Sequence, residues 1–125
     1  MMDQRTDVLL AEDDDDLRDA TMETLEDAGY RAVAVSNGSE ALSFLREAAQ
    51  LPSLILLDLM MPVMDGWQFR EAQRDDPRIA AIPVVILSAM AEKPTMADVE
   101  YLQKPTKAPP LIAMVAQFCG LRSAT

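Results

Sequence analysis

The chain has no histidine, one cysteine and four scattered glycines among its 125 residues. Without histidine it cannot build a Ser-His-Asp or Cys-His catalytic centre, bind zinc through histidine, or carry a phosphohistidine. Isolated glycines do not form the glycine-rich loops that cradle nucleotide phosphates. Cys119 alone cannot form an intramolecular disulfide, which favours a reducing compartment such as the cytoplasm. These absences argue against enzymes with catalytic or zinc-binding histidines and against nucleotide-binding enzymes.

Long apolar segments and basic charge are also scarce. No apolar run approaches the roughly 20 residues that span a bilayer, and no basic, apolar leader opens the chain. The 21 acidic residues exceed the 11 basic residues, so the net charge is −10. Nucleic-acid phosphates require a basic surface instead. We therefore expect a cytoplasmic protein with no nucleic-acid partner and no membrane insertion.

What is present resembles an ordinary globular domain. Half of the residues are apolar and about a quarter are charged. A length of 125 residues corresponds to one domain, and no repeat or linker divides the chain. We therefore expect a single domain over residues 1–125.

Short apolar runs alternate regularly with amphipathic stretches. The apolar runs predict strands at 8–11, 32–35, 54–57, 82–87 and 99–102, and such runs are typical of parallel strands buried on both faces. Helical spacing predicts helices at 14–28, 39–49 and 66–74, and a last helix that begins near 109. The order predicts an α/β fold in which a strand-helix unit repeats five times around a parallel sheet.

Polar residues stand where four of these strands end: Glu12, Asp13, Asp58, Ser88 and Lys104. In a flavodoxin-like sheet of order 2-1-3-4-5, ligands bind between strands one and three, where three of these carboxylates should converge. Clustered carboxylates repel one another unless a cation compensates, and hard oxygen ligands suit Mg²⁺. Together with a lysine and a hydroxyl, such a site is suited to a phosphoryl group carried as an aspartyl-phosphate.

Four segments carry a resemblance to a known family: residues 8–14, 56–66, 83–89 and 101–105. In this order and at these separations, they resemble the receiver domain of two-component response regulators. The resemblance covers nearly the whole chain, and it implies a flavodoxin-like (βα)5 fold with a five-stranded parallel sheet of order 2-1-3-4-5. The chain is similar to stand-alone regulators of the chemotaxis type.

The resemblance implies a magnesium site around the phosphoacceptor, Asp58. Asp13 matches the carboxylate that binds Mg²⁺ directly, and Glu12 matches its neighbour that acts through metal-bound water. The backbone carbonyl of Met60 matches the third protein ligand. Mg²⁺ is thus the expected cofactor.

The resemblance also assigns residues that respond to the phosphoryl group. Ser88 matches the hydroxyl that moves toward it, and Lys104 matches the lysine that neutralises it. Tyr101 matches the aromatic residue whose inward movement follows that of Ser88. The peptide bond between Lys104 and Pro105 is expected to be cis, which proline permits at low energetic cost.

The implied function is signalling rather than metabolic catalysis. A histidine kinase or a histidine phosphotransfer protein would supply the phosphoryl group, and the chain would catalyse only its own phosphorylation and dephosphorylation. Residues 121–125 are too few for an output domain, so the output should be contact with an unknown downstream protein. No motif supports more than a monomer or a weak dimer.

One segment departs from the family pattern. Ser88 and Lys104 are only 16 residues apart, whereas family members have a longer connection with a full fourth helix. Pro94 interrupts this connection. We therefore expect the fourth helix to be shortened or absent, which argues against dimer contacts through that helix.

Two alternatives remain open. A phosphorylation-independent adaptor of the same fold is supported by the shortened connection and opposed by the intact set of site residues. An aspartyl-phosphate phosphatase commonly has a second aspartate two residues after the nucleophile, where this chain has Met60. Met60 and Met90 also flank the path of the attacking water in the family pattern, and neither can orient water, which predicts slow dephosphorylation.

Overall fold

The computed structural model describes residues 6–90, 95–96, 98–104 and 106–121. Its five parallel strands form one sheet of order β2-β1-β3-β4-β5. The strands are β1 (Val8–Ala11), β2 (Ala32–Val35), β3 (Leu54–Asp58), β4 (Val84–Ser88) and β5 (Val99–Gln103). The helices in these described residues are α1 (Asp15–Asp27), α2 (Gly38–Glu47), α3 (Gly66–Arg74) and α4 (Ala108–Cys119). The predicted flavodoxin-like α/β fold and its strand order are confirmed.

The fourth strand begins two residues later than its apolar run predicts. The Ile82 amide donates to the Ile79 carbonyl at 3.2 Å, so Ile82 closes a turn rather than joining the sheet. The Pro83 carbonyl accepts from the Ile55 amide at 3.0 Å, and the ladder starts there. Hydrophobicity alone could not separate the apolar turn from the strand, because both are buried.

An apolar core layer covers each of the two faces of the sheet. Every residue of β1, β3 and β4 is buried, as expected for strands covered on both faces. On one face the core includes Leu45 of α2 and Phe69 of α3, and on the other it includes Leu25 of α1 and Val115 of α4. The three central strands are therefore held rigidly, and so are the residues at their carboxyl ends.

Side-chain caps fix the helices at the edge of the sheet where the strands end. Asp14, Asn37 and Asp65 each accept a backbone N–H in the first turn of α1, α2 and α3. Asp65 and Gln68 form a reciprocal capping box. The last helix has no side-chain cap and instead carries Pro109 and Pro110 in its first turn, where proline needs no hydrogen bond.

The connection between β4 and β5 carries no helix among residues 89, 90, 95, 96 and 98, which are its described positions. The fold thus agrees with the prediction of a shortened or absent fourth helix, and α4 occupies the place of the fifth. Pro94 lies outside the described residues, as does Pro105 with its predicted cis peptide bond. Within the described ranges, no helix combines the length and apolar character needed to cross a bilayer.

Candidate functional site

The neighbouring strands β1 and β3 bring three carboxylates together. Asp58 is the last residue of β3, while Glu12 and Asp13 directly follow β1. The Glu12 amide donates to the Val35 carbonyl at 3.0 Å, which extends the pairing of β1 with β2 by one residue. Glu12 and Asp58 are buried and Asp13 is exposed, and ligand oxygens of all three lie within 4.8 Å of one another. The convergence that the sequence predicts is present in the structure.

This carboxylate cluster has the donor chemistry of a magnesium site. Three negative charges at this separation are unfavourable without a cation, and Mg²⁺ prefers a few carboxylates together with water. The exposed side of the cluster at Asp13 leaves room for water. The Met60 amide donates to Asp58 Oδ1 at 3.3 Å, which holds the Met60 backbone beside the cluster. Coordination by the Met60 carbonyl remains a prediction.

Lys104 provides the positive charge inside the site. Its Nζ lies 2.7 Å from Glu12 Oε1 and 3.3 Å from Asp58 Oδ2, and only 14% of its side chain is exposed. The Lys104 amide donates to the Ser88 carbonyl at 2.7 Å, so the ladder between β4 and β5 continues to this residue. One lysine therefore partly neutralises two buried carboxylates.

The shared cation does not fully compensate Asp58. Burial, followed by the negative charge of Glu12 and a hydrogen bond with it, raises the pKa of Asp58 to about 7. The charge of Lys104 and the hydrogen bond from Met60 oppose this shift. Burial lowers the pKa of Lys104, but its contacts with Glu12 and Asp58 outweigh burial and raise it overall. Lys104 therefore stays charged. A second cation beside Asp58 would further stabilise the ionised form of its carboxylate.

Ser88 and Tyr101 both form a hydrogen bond with the backbone of Met90, in the loop that follows β4. Asp58 pairs with Leu87 in the sheet, so Ser88 lies one position further along the same edge. The Met90 amide donates to Ser88 Oγ at 3.1 Å, and the Tyr101 hydroxyl donates to the Met90 carbonyl. The structure thus links the two predicted response residues through the backbone of Met90. Their roles in signalling remain predictions.

Two supports of the site were not predicted from the sequence. Arg18 Nη1 of α1 donates to the Glu12 carbonyl at 3.1 Å, and the Asp14 amide donates to Glu12 Oε2 at 3.2 Å. A Cβ on Gly66 would lie 2.7 Å from the Asp58 carbonyl oxygen, so this glycine permits close packing of α3 on β3. The Asp65-Gly66 pair indicates a helix start in the sequence, but a close approach between elements appears only in the fold.

Comparisons with known proteins agree over most of the chain. The family model for the response regulator receiver domain matches residues 8–116. An uncharacterized 14.6 kDa protein of Leptolyngbya boryana is 36% identical over 119 residues, 90% of this chain and 89% of that protein. The response regulator receiver protein CpdR of Brucella abortus is 37% identical over 102 residues, 78% of this chain and 83% of CpdR.

Some relatives are much longer than the region that matches. Response regulator Rre1 of Synechocystis is 37% identical over 83 residues, and this match covers 66% of the chain but 35% of Rre1. The chain thus spans about a third of the length of that relative.

Solved structures show the same architecture. The signal receiver domain of a histidine kinase from Syntrophus aciditrophicus superposes with a TM-score of 0.80 at 29% identity, covering 91% of this chain and 89% of that one. The chemotaxis protein CheY4 of Vibrio cholerae gives a TM-score of 0.80 at 26% identity, covering 91% of this chain and 98% of that one. The residues matched by the family model, 8–116, include the strands β1 and β3 that carry the carboxylate cluster.

Proposed function

The chain belongs to the family of response regulator receiver domains, and from this premise we propose that it accepts a phosphoryl group on Asp58 in a Mg²⁺-dependent reaction. The observation that carries this proposal is the position of Asp58. It is a buried carboxylate at the end of a central strand, with Lys104 Nζ at 3.3 Å and two further carboxylates beside it. A receiver domain is a signalling domain, so the phosphoryl group would act as a reversible mark rather than as a metabolic product.

The phosphoryl transfer is a displacement at phosphorus. An oxygen of the Asp58 carboxylate forms the new O–P bond, while the N–P bond of a phosphohistidine donor breaks and its electron pair stays on the imidazole nitrogen. Asp13, Glu12, Asp58 and the Met60 carbonyl would hold Mg²⁺, which neutralises negative charge on the phosphoryl oxygens.

The chain's own polar groups would stabilise the product. Lys104 already contacts Asp58, so its ammonium group can pair with a phosphoryl oxygen after transfer. Ser88 can then donate its hydroxyl to another phosphoryl oxygen, with the loop at Met90 moving along with it. Because Tyr101 bonds to the Met90 carbonyl, a shift of this loop would also release or reposition the tyrosine.

We also propose the source of the phosphoryl group and the form of the signalling output. The chain contains no histidine, so a separate histidine kinase or histidine phosphotransfer protein would supply the phosphoryl group. The output would be contact with a downstream protein by a monomer or a weak dimer. Cys119 is the single cysteine of the sequence and cannot form an intramolecular disulfide, which is consistent with our proposal of a cytoplasmic location.

The test is the intact mass of the protein after incubation with Mg²⁺ and acetyl phosphate. We expect one phosphoryl adduct on the unmodified chain, and none after chelation or in Asp58→Asn. Asp65→Asn is the matched control, because it changes an acid of the neighbouring loop while asparagine still caps α3. An adduct that persists in Asp58→Asn would overturn the assignment.

The same experiment separates the alternatives. The absence of a helix at the described positions between β4 and β5 supports an adaptor that works without phosphorylation, whereas the intact site residues oppose it. That function would give Mg²⁺ binding without any adduct. A phosphatase would instead turn over a phosphomonoester many times. We propose that the chain does not, because Met60 stands where such enzymes commonly have a second aspartate.

A further inference from the structure

A groove of about 610 Å³ lies between α3 and the connection that joins β4 to β5. Trp67, Arg70 and Arg74 line it from α3, and Thr95 and Met96 line it from the connection. It is separate from the carboxylate cluster, and its size is within the range of ordinary ligand pockets. None of the residues proposed for phosphoryl transfer lines it.

Arg70 is an incompletely satisfied cation in the wall of this groove. Only 8% of the residue is exposed, and its Nη1 donates to Gln73 Oε1 at 2.8 Å. Gln73 is held in turn by the carbonyls of Ile79 and Ile82, each at 3.0 Å. The Nε–H of Arg70 is buried without an acceptor in the described part of the chain. A buried donor without a partner lowers stability, so an incoming acceptor would be favourable.

Arg70 and Arg74 lie one helical turn apart on the same groove. In the described ranges, neither forms an ion pair within 4.0 Å. Burial, and then the positive charge of Arg74, lower the pKa of Arg70, while Asp98 raises it. Among the described residues, these two guanidinium groups therefore have no ion pair, although the carboxylates of Glu71 and Asp75 lie on the same groove.

The other residues that line the groove determine which class of anion it can bind. Glu71 and Asp75 also line the groove, and their charges would repel a dianionic phosphate more strongly than a single carboxylate. Trp67 is 40% exposed and offers an indole face, and the partly buried Met96 adds an apolar thioether. A carboxylate next to an apolar side chain matches both the arginines and this apolar surface.

We propose that this groove binds an acidic segment of a partner protein. One carboxylate of the partner pairs with Arg70 and Arg74, and a neighbouring apolar side chain packs against Trp67 and Met96. This interaction needs no phosphoryl group, so the proposed binding does not depend on phosphorylation at Asp58.

Nuclear magnetic resonance tests the proposal with two matched dipeptides, N-acetyl-Phe-Glu-amide and N-acetyl-Phe-Gln-amide, at constant ionic strength. The readouts are the Nε–H signal of Arg70 and the indole N–H signal of Trp67, which is the only tryptophan in the chain. The Glu peptide should shift both signals saturably, and the Gln peptide should bind at least about tenfold more weakly because it lacks the charge. Asp58→Asn should behave like the unmodified chain.

Variants separate recognition from non-specific attraction. Arg70→Lys keeps the charge but loses the planar fork of donors, so the Trp67 signal should report at least about tenfold weaker binding of the Glu peptide. Arg46→Gln removes an exposed charge from α2 and should leave binding unchanged. Equal shifts with both peptides, no shift with either, or a response only to inorganic phosphate would overturn the proposal. The titration of the unmodified chain distinguishes these outcomes even if an Arg70 variant fails to fold.

Discussion

At the scale of single residues, the site depends on an incomplete balance of charge. Glu12 and Asp58 are buried next to each other, and Lys104 is the cation that contacts both. Burial, and then the charge of Glu12, raise the pKa of Asp58 to about 7, because the single charge of Lys104 does not fully offset them. A magnesium ion would complete the balance and keep Asp58 ionised as a nucleophile. The same imbalance makes the metal-free protein sensitive to pH.

The raised pKa of Asp58 predicts how stability depends on pH. The folded state holds the proton more tightly than the unfolded chain, whose aspartate has a pKa of 3.8. The stabilisation is complete below pH 3.8 and is lost as pH rises to about 7. In the absence of metal, stability relative to Asp58→Asn should fall by about 2 kcal/mol between pH 5 and pH 8.

Urea unfolding of both proteins in a chelating buffer measures this difference. Asparagine does not titrate, so the comparison cancels the other acids. Adding Mg²⁺ at pH 8 should restore stability to the unmodified chain more than to Asp58→Asn. A stability difference that does not change with pH would contradict the charge balance.

Val63 is the clearest strained residue outside the site. Its φ is 68°, which a β-branched residue rarely adopts, and the Met64 amide donates to the Pro62 carbonyl at 2.7 Å in a tight turn around it. The side chain is 81% exposed and contributes little packing. Val63→Gly should therefore raise the free energy of unfolding by about 1 kcal/mol.

Urea denaturation with Val63→Ala as the control checks this value. Alanine keeps the Cβ that makes this φ unfavourable, so it should gain less than glycine. Equal stability of the two variants would show that the turn is not strained.

Met60 and Met90 predict the lifetime of the phosphorylated state. Both side chains are exposed beside the site, and neither can orient an attacking water molecule. The half-life at neutral pH should therefore be much longer than seconds. Met60→Asn should shorten it several-fold by supplying a polar group, whereas Met60→Leu should not. Loss of the adduct over time gives the rate, and a half-life of seconds in the unmodified chain would contradict the prediction.

At the scale of secondary-structure elements, α3 connects the site with the rest of the molecule. It begins at Gly66, whose amide donates to the Leu59 carbonyl at 2.9 Å just after β3. The same helix carries Trp67, Arg70 and Arg74 into the groove. The position of α3 is therefore fixed next to Asp58, while its side that lines the groove forms the proposed docking surface.

Gly66→Ala tests this packing directly. Alanine ordinarily stabilises a helix by up to about 1 kcal/mol relative to glycine. Here its Cβ would lie 2.7 Å from the Asp58 carbonyl and 2.8 Å from Leu59 Cα, so we expect a loss of about 2 kcal/mol and slower phosphorylation. Unfolding and adduct formation measure the two effects. A more stable variant would show that helix propensity dominates and that the contact is loose.

The connection between β4 and β5 shows what spacing can predict. Ser88 and Lys104 are 16 positions apart, which leaves little room for a helix and its turns, and the described positions contain none. The groove beside this segment could not be predicted, because it depends on how α3 and the connection sit relative to each other. Sequence alone does not separate a core tryptophan from one at a groove, and Trp67 is 40% exposed at this groove.

At the scale of the whole molecule, the fold was predictable because one pattern repeats. Continuous apolar runs indicate the strands, amphipathic spacing indicates the helices, and the carboxyl ends of parallel strands must share an edge. That edge brings Glu12, Asp13 and Asp58 together, as expected. The convergence predicts that these carboxylates raise one another's pKa, but the size of the shift at Asp58 was not predictable, because it depends on burial and on which carboxylate Lys104 approaches more closely.

The proposed signalling function depends above all on Asp58 carrying the phosphoryl group. Borohydride reduction after incubation with Mg²⁺ and acetyl phosphate locates that group, because it converts an aspartyl-phosphate into homoserine that fragmentation mass spectrometry can assign to a position. We expect homoserine at position 58, with Asp13 and Asp65 unmodified, and no conversion when Mg²⁺ is chelated. Homoserine at another position, or no conversion in a protein that binds Mg²⁺, would contradict the proposed function.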